Sequence, residues 1–236
     1  MTQNIVDPKI VVALDFAEAK QALDFTKQLD PKLCRVKVGK ELFTAAGPKL
    51  VEAFIDQGHS VFLDLKFHDI PTTVSKACEA ASRLGVWMLN VHASGGLAMM
   101  EEAKSGVVRS GHHPLLIAVT VLTSMNQVML NQVGVARDLT DQVLNLAQLT
   151  KEAGLDGVVC SAAEASMLRV QLGSNFCLVT PGIRPINASL DDQSRAVTPE
   201  HAIKLGSDYL VIGRPITKAK NPLKALEEIS QSIKFS

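Results

Sequence analysis

Phe62-Leu63-Asp64-Leu65-Lys66-Phe67-His68-Asp69-Ile70-Pro71 begins as an apolar, strand-like run and then carries two carboxylates and an ammonium. Side chains alternate faces along a strand, so Asp64 and Lys66 are expected on one face and Leu63 and Leu65 on the other. Pro71 biases Ile70 away from the α region and suits the first turn of a helix, which places Asp69 where a strand hands over to a helix. Three charges therefore collect at the C-terminal end of one strand. Taken alone, they also fit a structural ion pair between Asp64 and Lys66 with Asp69 as a helix cap. Charges facing inward from an apolar strand are costly, and are retained when paired or functional.

The same strand-then-helix unit recurs on both sides. Apolar runs at Ile10–Asp15, Arg35–Gly39, Ser60–Lys66, Trp87–Ala93, Pro114–Leu122, Gly157–Ser161, Phe176–Gly182 and Tyr209–Pro215 read as strands. Helices are expected over about 17–29, 41–57, 72–84, 139–153, 162–172 and 222–233, with a further one opening at Gly95-Gly96. The near-continuous apolar run at Pro114–Leu122 suits a strand buried on both faces of a parallel sheet. Eight alternations in 236 residues fit a closed (β/α)8 TIM barrel, read as a single catalytic domain over 1–236, better than an open doubly wound sheet. No GxGxxG follows the first strand.

Composition narrows the function. Lys plus Arg and Asp plus Glu number 24 each, which gives no reason to expect nucleic acid or a membrane surface as partner. Cys34, Cys78, Cys160 and Cys177 are scattered without metal-ligand spacing and read as reduced core residues. No basic segment with an apolar stretch opens the chain, and no run approaches the roughly 20 residues that cross a bilayer, so a cytoplasmic location is expected.

In such a barrel the working groups stand at the C-terminal ends of the strands. Asp15, Lys37, Asp64 and Lys66 come from three consecutive strands and can converge in one mouth, Asp69 being added by the following loop. Alternating acid and base limits unpaired charge there. The other end of the chain reads as a phosphate site. Thr180-Pro181-Gly182-Ile183-Arg184 and Ile212-Gly213-Arg214-Pro215-Ile216-Thr217 supply glycines for close backbone approach, and Arg214 can grip a phosphate bidentately. Between Gly182 and Pro199 a long polar stretch reads as a lid, with Gln193 or Arg184 bonding the ligand. His68 and the His112-His113 pair are not read as metal or acid–base groups, and HExxH, P-loop and GxSxG patterns are absent from the sequence.

With Asp64-Leu65-Lys66-Phe67-His68-Asp69-Ile70-Pro71 on the third strand, the sequence resembles the bacterial type of the orotidine 5′-phosphate decarboxylase family. Ala13-Leu14-Asp15, Val36-Lys37-Val38-Gly39, Leu122-Thr123-Ser124, Thr180–Arg184 and Ile212–Ile216 stand in the family's order along nearly the whole chain. The resemblance implies a homodimeric barrel that converts orotidine 5′-phosphate to UMP and carbon dioxide in pyrimidine synthesis, without metal or organic cofactor. It implies Lys37, Asp64, Lys66 and Asp69 as the catalytic charged array, with Asp69, Ile70 and Thr73 contributed by the neighbouring subunit. Asp15 and Lys37 would hold the ribose hydroxyls, Thr123 and Ser124 would lie by the pyrimidine, and Arg184, Gln193, Gly213 and Arg214 would bind the phosphate.

Two other readings share these residues. Sugar-phosphate enzymes of the same superfamily, such as 3-keto-L-gulonate 6-phosphate decarboxylase and hexulose phosphate synthase, carry a similar third strand but use magnesium. They have an acidic ligand on the second strand, where this chain has Lys37, which would repel the metal. A noncatalytic nucleotide-binding barrel is the third reading; all four charged positions are intact, contrary to what a decayed enzyme would show.

Overall fold

The computed structural model describes residues 7–185 and 197–234. Its aliphatic runs form eight strands, β1 Ile10–Ala13, β2 Cys34–Gly39, β3 Val61–Phe67, β4 Met88–His92, β5 Leu115–Val119, β6 Gly157–Val159, β7 Cys177–Thr180 and β8 Tyr209–Ile212. Each pairs in parallel with the next, and β1 pairs with β8, so the sheet closes into the expected (β/α)8 barrel. Around it run α1 Ala19–Thr26, α2 Lys40–Ala46, α3 Pro48–Asp56, α4 Pro71–Arg83, α5 Leu97–Arg109, α6 Gln127–Gln132, α7 Leu139–Glu152, α8 Ala162–Leu172, α9 Pro199–Lys204, α10 Arg214–Thr217 and α11 Pro222–Lys234.

Strand alternation divides the apolar residues into two cores. Ile10 and Val12 of β1, Val36 and Val38 of β2 and Leu63 of β3 face outward and pack with the helices. Val11, Ala13, Phe62, Met88, Ile117, Val179 and Val211 face inward and fill the barrel axis. Strands buried on both faces explain why these segments read as continuous apolar sequence. Helices α4 and α5 pack tightly at Gly106. A Cβ on Gly106 would stand 2.1 Å from the Ser75 carbonyl oxygen, so only glycine fits there.

Several boundaries differ from expectation. The helix read over 41–57 is two helices, because Gly47 adopts φ 71° and Pro48 opens the second. The fifth strand stops at Val119 and the eighth at Ile212, and Arg214, read as part of that last strand, begins α10. Of the expected lid, residues 186–196 lie outside the described residues.

Candidate active site

The mouth of the barrel takes its shape from an irregularity in β3. Phe62 and Leu63 pair with Met88 and Leu89, but the next pairing is Phe67 with Val91, so β3 bulges between Leu63 and Phe67. Lys66 lies inside the bulge with φ 52°, the one positive φ at a non-glycine among the described residues. An L-residue pays about 1–2 kcal/mol for that conformation. Asp64 and Lys66 do meet, as expected, but simple alternation is not the reason: the strand is no longer regular at Lys66, and the bulge redirects its side chain.

The result is a continuous chain of alternating charges. Lys37 Nζ lies 3.9 Å from Asp15 Oδ1 and 3.2 Å from Asp64 Oδ2, and Lys66 Nζ lies 2.5 Å from Asp64 Oδ1. Lys37 and Asp64 are buried, while Asp15 is exposed at the rim. Burial alone would raise the Asp64 pKa; Lys37, then Lys66 and the bonds from Lys66 and Asn90, outweigh it and hold the carboxyl below its usual range. Asp64 is therefore an anion between two ammonium groups.

Asn90 on β4 was not anticipated from sequence. It is fully buried, its Nδ2 donates to Asp64 Oδ1 at 2.7 Å, and its Oδ1 accepts from the Lys66 backbone N–H at 2.8 Å. A polar residue within the apolar run Met88-Leu89-Asn90-Val91 was the signal that could have marked it. His92, two residues on, stacks obliquely on His68 with ring centroids 5.6 Å apart. Burial, then His68 and the nearby Lys40 and Lys66, push its pKa down to about 4.

A cavity of about 310 Å³ opens over this array, and Asp15, Lys37, Asp64, Lys66, Thr123, Arg184, Gly213 and Arg214 all line it. Its walls are completed by Ala13, Phe62, Val159 and Val211 below and by Pro181, Gly182 and Ile183 at the side. The size suits a small organic ligand. Asp69, Ile70 and Thr73 do not line it. They are exposed at the start of α4, where the Asp69 carboxylate accepts from the Ile70 N–H at 2.6 Å. Ser124 is exposed beside Thr123 without reaching the cavity, and Gln193 lies outside the described residues. Among the described residues no cluster of His, Cys, Asp and Glu could hold a metal ion.

A larger groove of about 860 Å³ lies at the opposite, N-terminal end of the strands. Its acids are already engaged. Asp156 accepts from the Leu116 N–H and pairs with Lys104, and Asp208 accepts from the Leu178 N–H and pairs with Arg169. The smaller cavity is therefore the candidate site.

Comparison with known proteins identifies the family. The model of the orotidine 5′-phosphate decarboxylase / HUMPS family matches residues 8–229. The chain belongs to this family. It is 58% identical over 234 residues to the orotidine 5′-phosphate decarboxylase of Hydrogenovibrio crunogenus, covering 99% of each chain. To that of Chromobacterium violaceum it is 59% identical over 224 residues, 95% of this chain and 91% of the other. The crystal structure of the Lactobacillus acidophilus enzyme of the same name superposes with a TM-score of 0.87 at 40% identity, covering 96% of this chain and 99% of that one. No described helix is long and apolar enough to cross a membrane.

Proposed function

We propose that this chain, as one catalytic barrel, decarboxylates orotidine 5′-phosphate to UMP and carbon dioxide in pyrimidine synthesis, in the cytoplasm and without metal or organic cofactor. The observation that carries the reading is the alternating Asp15–Lys37–Asp64–Lys66 chain at the mouth of a barrel of this family.

Breaking the bond between the ring carbon and its carboxylate leaves the electron pair in the ring plane, where no π-system delocalises it. A preorganised cation beside that carbon is the effective stabiliser. Lys66 Nζ supplies it and then transfers a proton to the carbanion, recovering one from solvent. Carbon dioxide leaves, and the net reaction consumes one proton. Asp64, held ionised, keeps Lys66 charged and aimed. Lys37 braces Asp64 from the other side and, with Asp15, meets the ribose hydroxyls. An ammonium 3.2 Å from Asp64 also disfavours a divalent cation at that carboxylate, which supports the metal-free reading. Thr123, which lines the cavity, lies towards the pyrimidine, with Ser124 beside it at the rim. Arg184, Gly213 and Arg214, with Gln193, bind the phosphate, and that remote binding energy orients the reacting ring.

Asp69, Ile70 and Thr73 complete the cavity of a second copy in a homodimer. Support comes from their position outside their own cavity and from Ile70, a large apolar side chain left 67% exposed. Mixing Lys66→Ala and Asp69→Ala subunits tests this. Only shared sites regain turnover in the mixture, because one of the two sites then has both residues; no recovery rejects sharing.

The function itself is tested by following ultraviolet absorbance as orotidine 5′-phosphate is consumed, with EDTA present, for the wild type and Lys66→Ala. Rapid loss by the wild type alone is expected. Substrate left untouched by the wild type would overturn the assignment and direct attention to sugar phosphates with magnesium.

A further inference from the structure

We infer that Asn90 is a positioning residue for the reaction, setting at once the orientation of the Asp64 carboxylate and the backbone conformation that aims Lys66. The inference rests on the proposed role of Lys66.

Both ends of the amide are committed, and their assignment follows from chemistry. The Lys66 backbone N–H can only donate, so the atom facing it at 2.8 Å is Oδ1; the Asp64 carboxylate is ionised and only accepts, so the atom facing it at 2.7 Å is Nδ2. Asn90 therefore bridges the two residues whose relative placement the proton transfer needs. It does so across the bulge, where β3 and β4 lose their regular ladder between Leu63 and Phe67. The Lys66 N–H would otherwise be left without its ladder partner, and the left-handed backbone at φ 52° would have nothing to hold it. Asn90 is fully buried, so water does not replace either bond.

A structural role alone would be served by any residue that fills the space and keeps the fold. A positioning role requires a donor on one side and an acceptor on the other. Asn90→Asp separates the two. It is isosteric and keeps the acceptor for the Lys66 N–H, but it turns a carboxylate towards Asp64. Two carboxylates in contact cannot both stay ionised cheaply, so one of them takes up a proton well above the usual carboxylate pKa. Protonated, the new carboxyl is again a donor to Asp64. The other charged and titratable groups around it are Lys37 on β2, Asp64 and Lys66 on β3, and His92 on β4 facing His68 and Lys40.

The experiment measures kcat and KM for wild type, Asn90→Asp, Asn90→Ser and Lys66→Ala across the pH range, with thermal midpoint and UMP affinity as controls on folding. For Asn90→Asp, kcat falls by about 10²-fold at the alkaline end, the loss typical of a misaimed reacting group. KM and UMP affinity stay within a few-fold, and the variant-to-wild-type ratio of kcat climbs as pH falls. Asn90→Ser, too short to bridge both partners, loses kcat without recovering at low pH. Wild-type kcat in Asn90→Asp, or a loss of equal size at every pH, overturns the inference. If Asn90→Asp does not accumulate folded, wild-type turnover by Asn90→Ser overturns it instead. Lys66→Ala separates the two claims: full activity there overturns both, whereas an inactive Lys66→Ala beside an unperturbed Asn90→Asp removes Asn90 alone.

Discussion

Arg35 and Lys37 are two residues apart on β2, point into the same barrel, carry the same charge and are almost equally buried, at 8% and 9% exposure. Their surroundings differ completely. At the base, the Arg35 guanidinium lies 4.1 Å from the Trp87 ring centroid and 5.0 Å from that of Tyr209, pairs with Asp7 at 2.8 Å and donates to the Pro8 carbonyl. Trp87 and Tyr209 meet edge to face, and the Tyr209 hydroxyl donates to Asp7. The Arg35 Nε is buried without a hydrogen-bond partner among the described residues. At the mouth, Lys37 is held by carboxylates on one side and faces a cavity on the other. Burial does not separate a structural charge from a working one; what lies opposite it does. Aromatic faces and a backbone carbonyl surround the charge at the base, while a cavity lined with further charge lies beside the one at the mouth.

The sharpest way to break this contrast is to exchange the effects of its two ends. Lys66→Ala is expected to cut turnover by about 10⁴-fold, combining loss of charge stabilisation with loss of the proton donor, while leaving thermal stability close to wild type. Arg35→Leu is expected to do the reverse. It breaks a buried ion pair and two cation–π contacts at a cost of about 2–4 kcal/mol, reduced because Asp7 is partly exposed, with kcat per folded molecule unchanged. Denaturant unfolding and steady-state kinetics on both variants decide it. A turnover defect in Arg35→Leu at full folding would erase the distinction.

Acid acts at both ends. His92 has its folded pKa lowered from 6.5 to about 4, so folding disfavours its protonation. Its stabilising contribution is therefore complete above the unfolded value and is lost as pH falls from 6.5 towards 4. The full drop corresponds to about 3 kcal/mol, discounted to about 1–2 kcal/mol for a ring that water partly reaches. The thermal midpoint of the wild type should fall across this window and that of His92→Gln should fall less. Asp64 follows only at lower pH, since its folded pKa lies below the usual carboxylate value. At the base, burial likewise lowers the pKa of His59, just before β3, while Asp7 is held ionised by Lys9 and Arg35 against the opposing effect of burial. The smallest effect is expected from Trp87→Phe, which weakens the stacking on Arg35 by about 1 kcal/mol and leaves kinetics untouched.

Much of the barrel was legible because its strands are buried on both faces and written as unbroken aliphatic runs. The rim charges stood out against that background for the same reason. Gly47-Pro48 was written plainly, yet the apolar phase runs across it, and the two helices read as one. The bulge was not legible: Lys66 is no glycine, and nothing local announces a left-handed backbone that depends on Asn90 from the next strand. Asn90 itself escaped notice because an uncharged amide stands out less than Asp64 in the same kind of run. Asp69, Ile70 and Thr73 were placed by resemblance, and a single chain leaves them facing outward.

The chain holds one tryptophan and one tyrosine, and both sit on Arg35 at the base. Indole emission thus reports from the N-terminal end of the barrel alone, far from where a pyrimidine would arrive, and the near-ultraviolet window is left almost clear for that pyrimidine's own colour. Refolding followed by fluorescence times the closing of the base, absorbance times events at the mouth, and one cuvette carries two independent clocks.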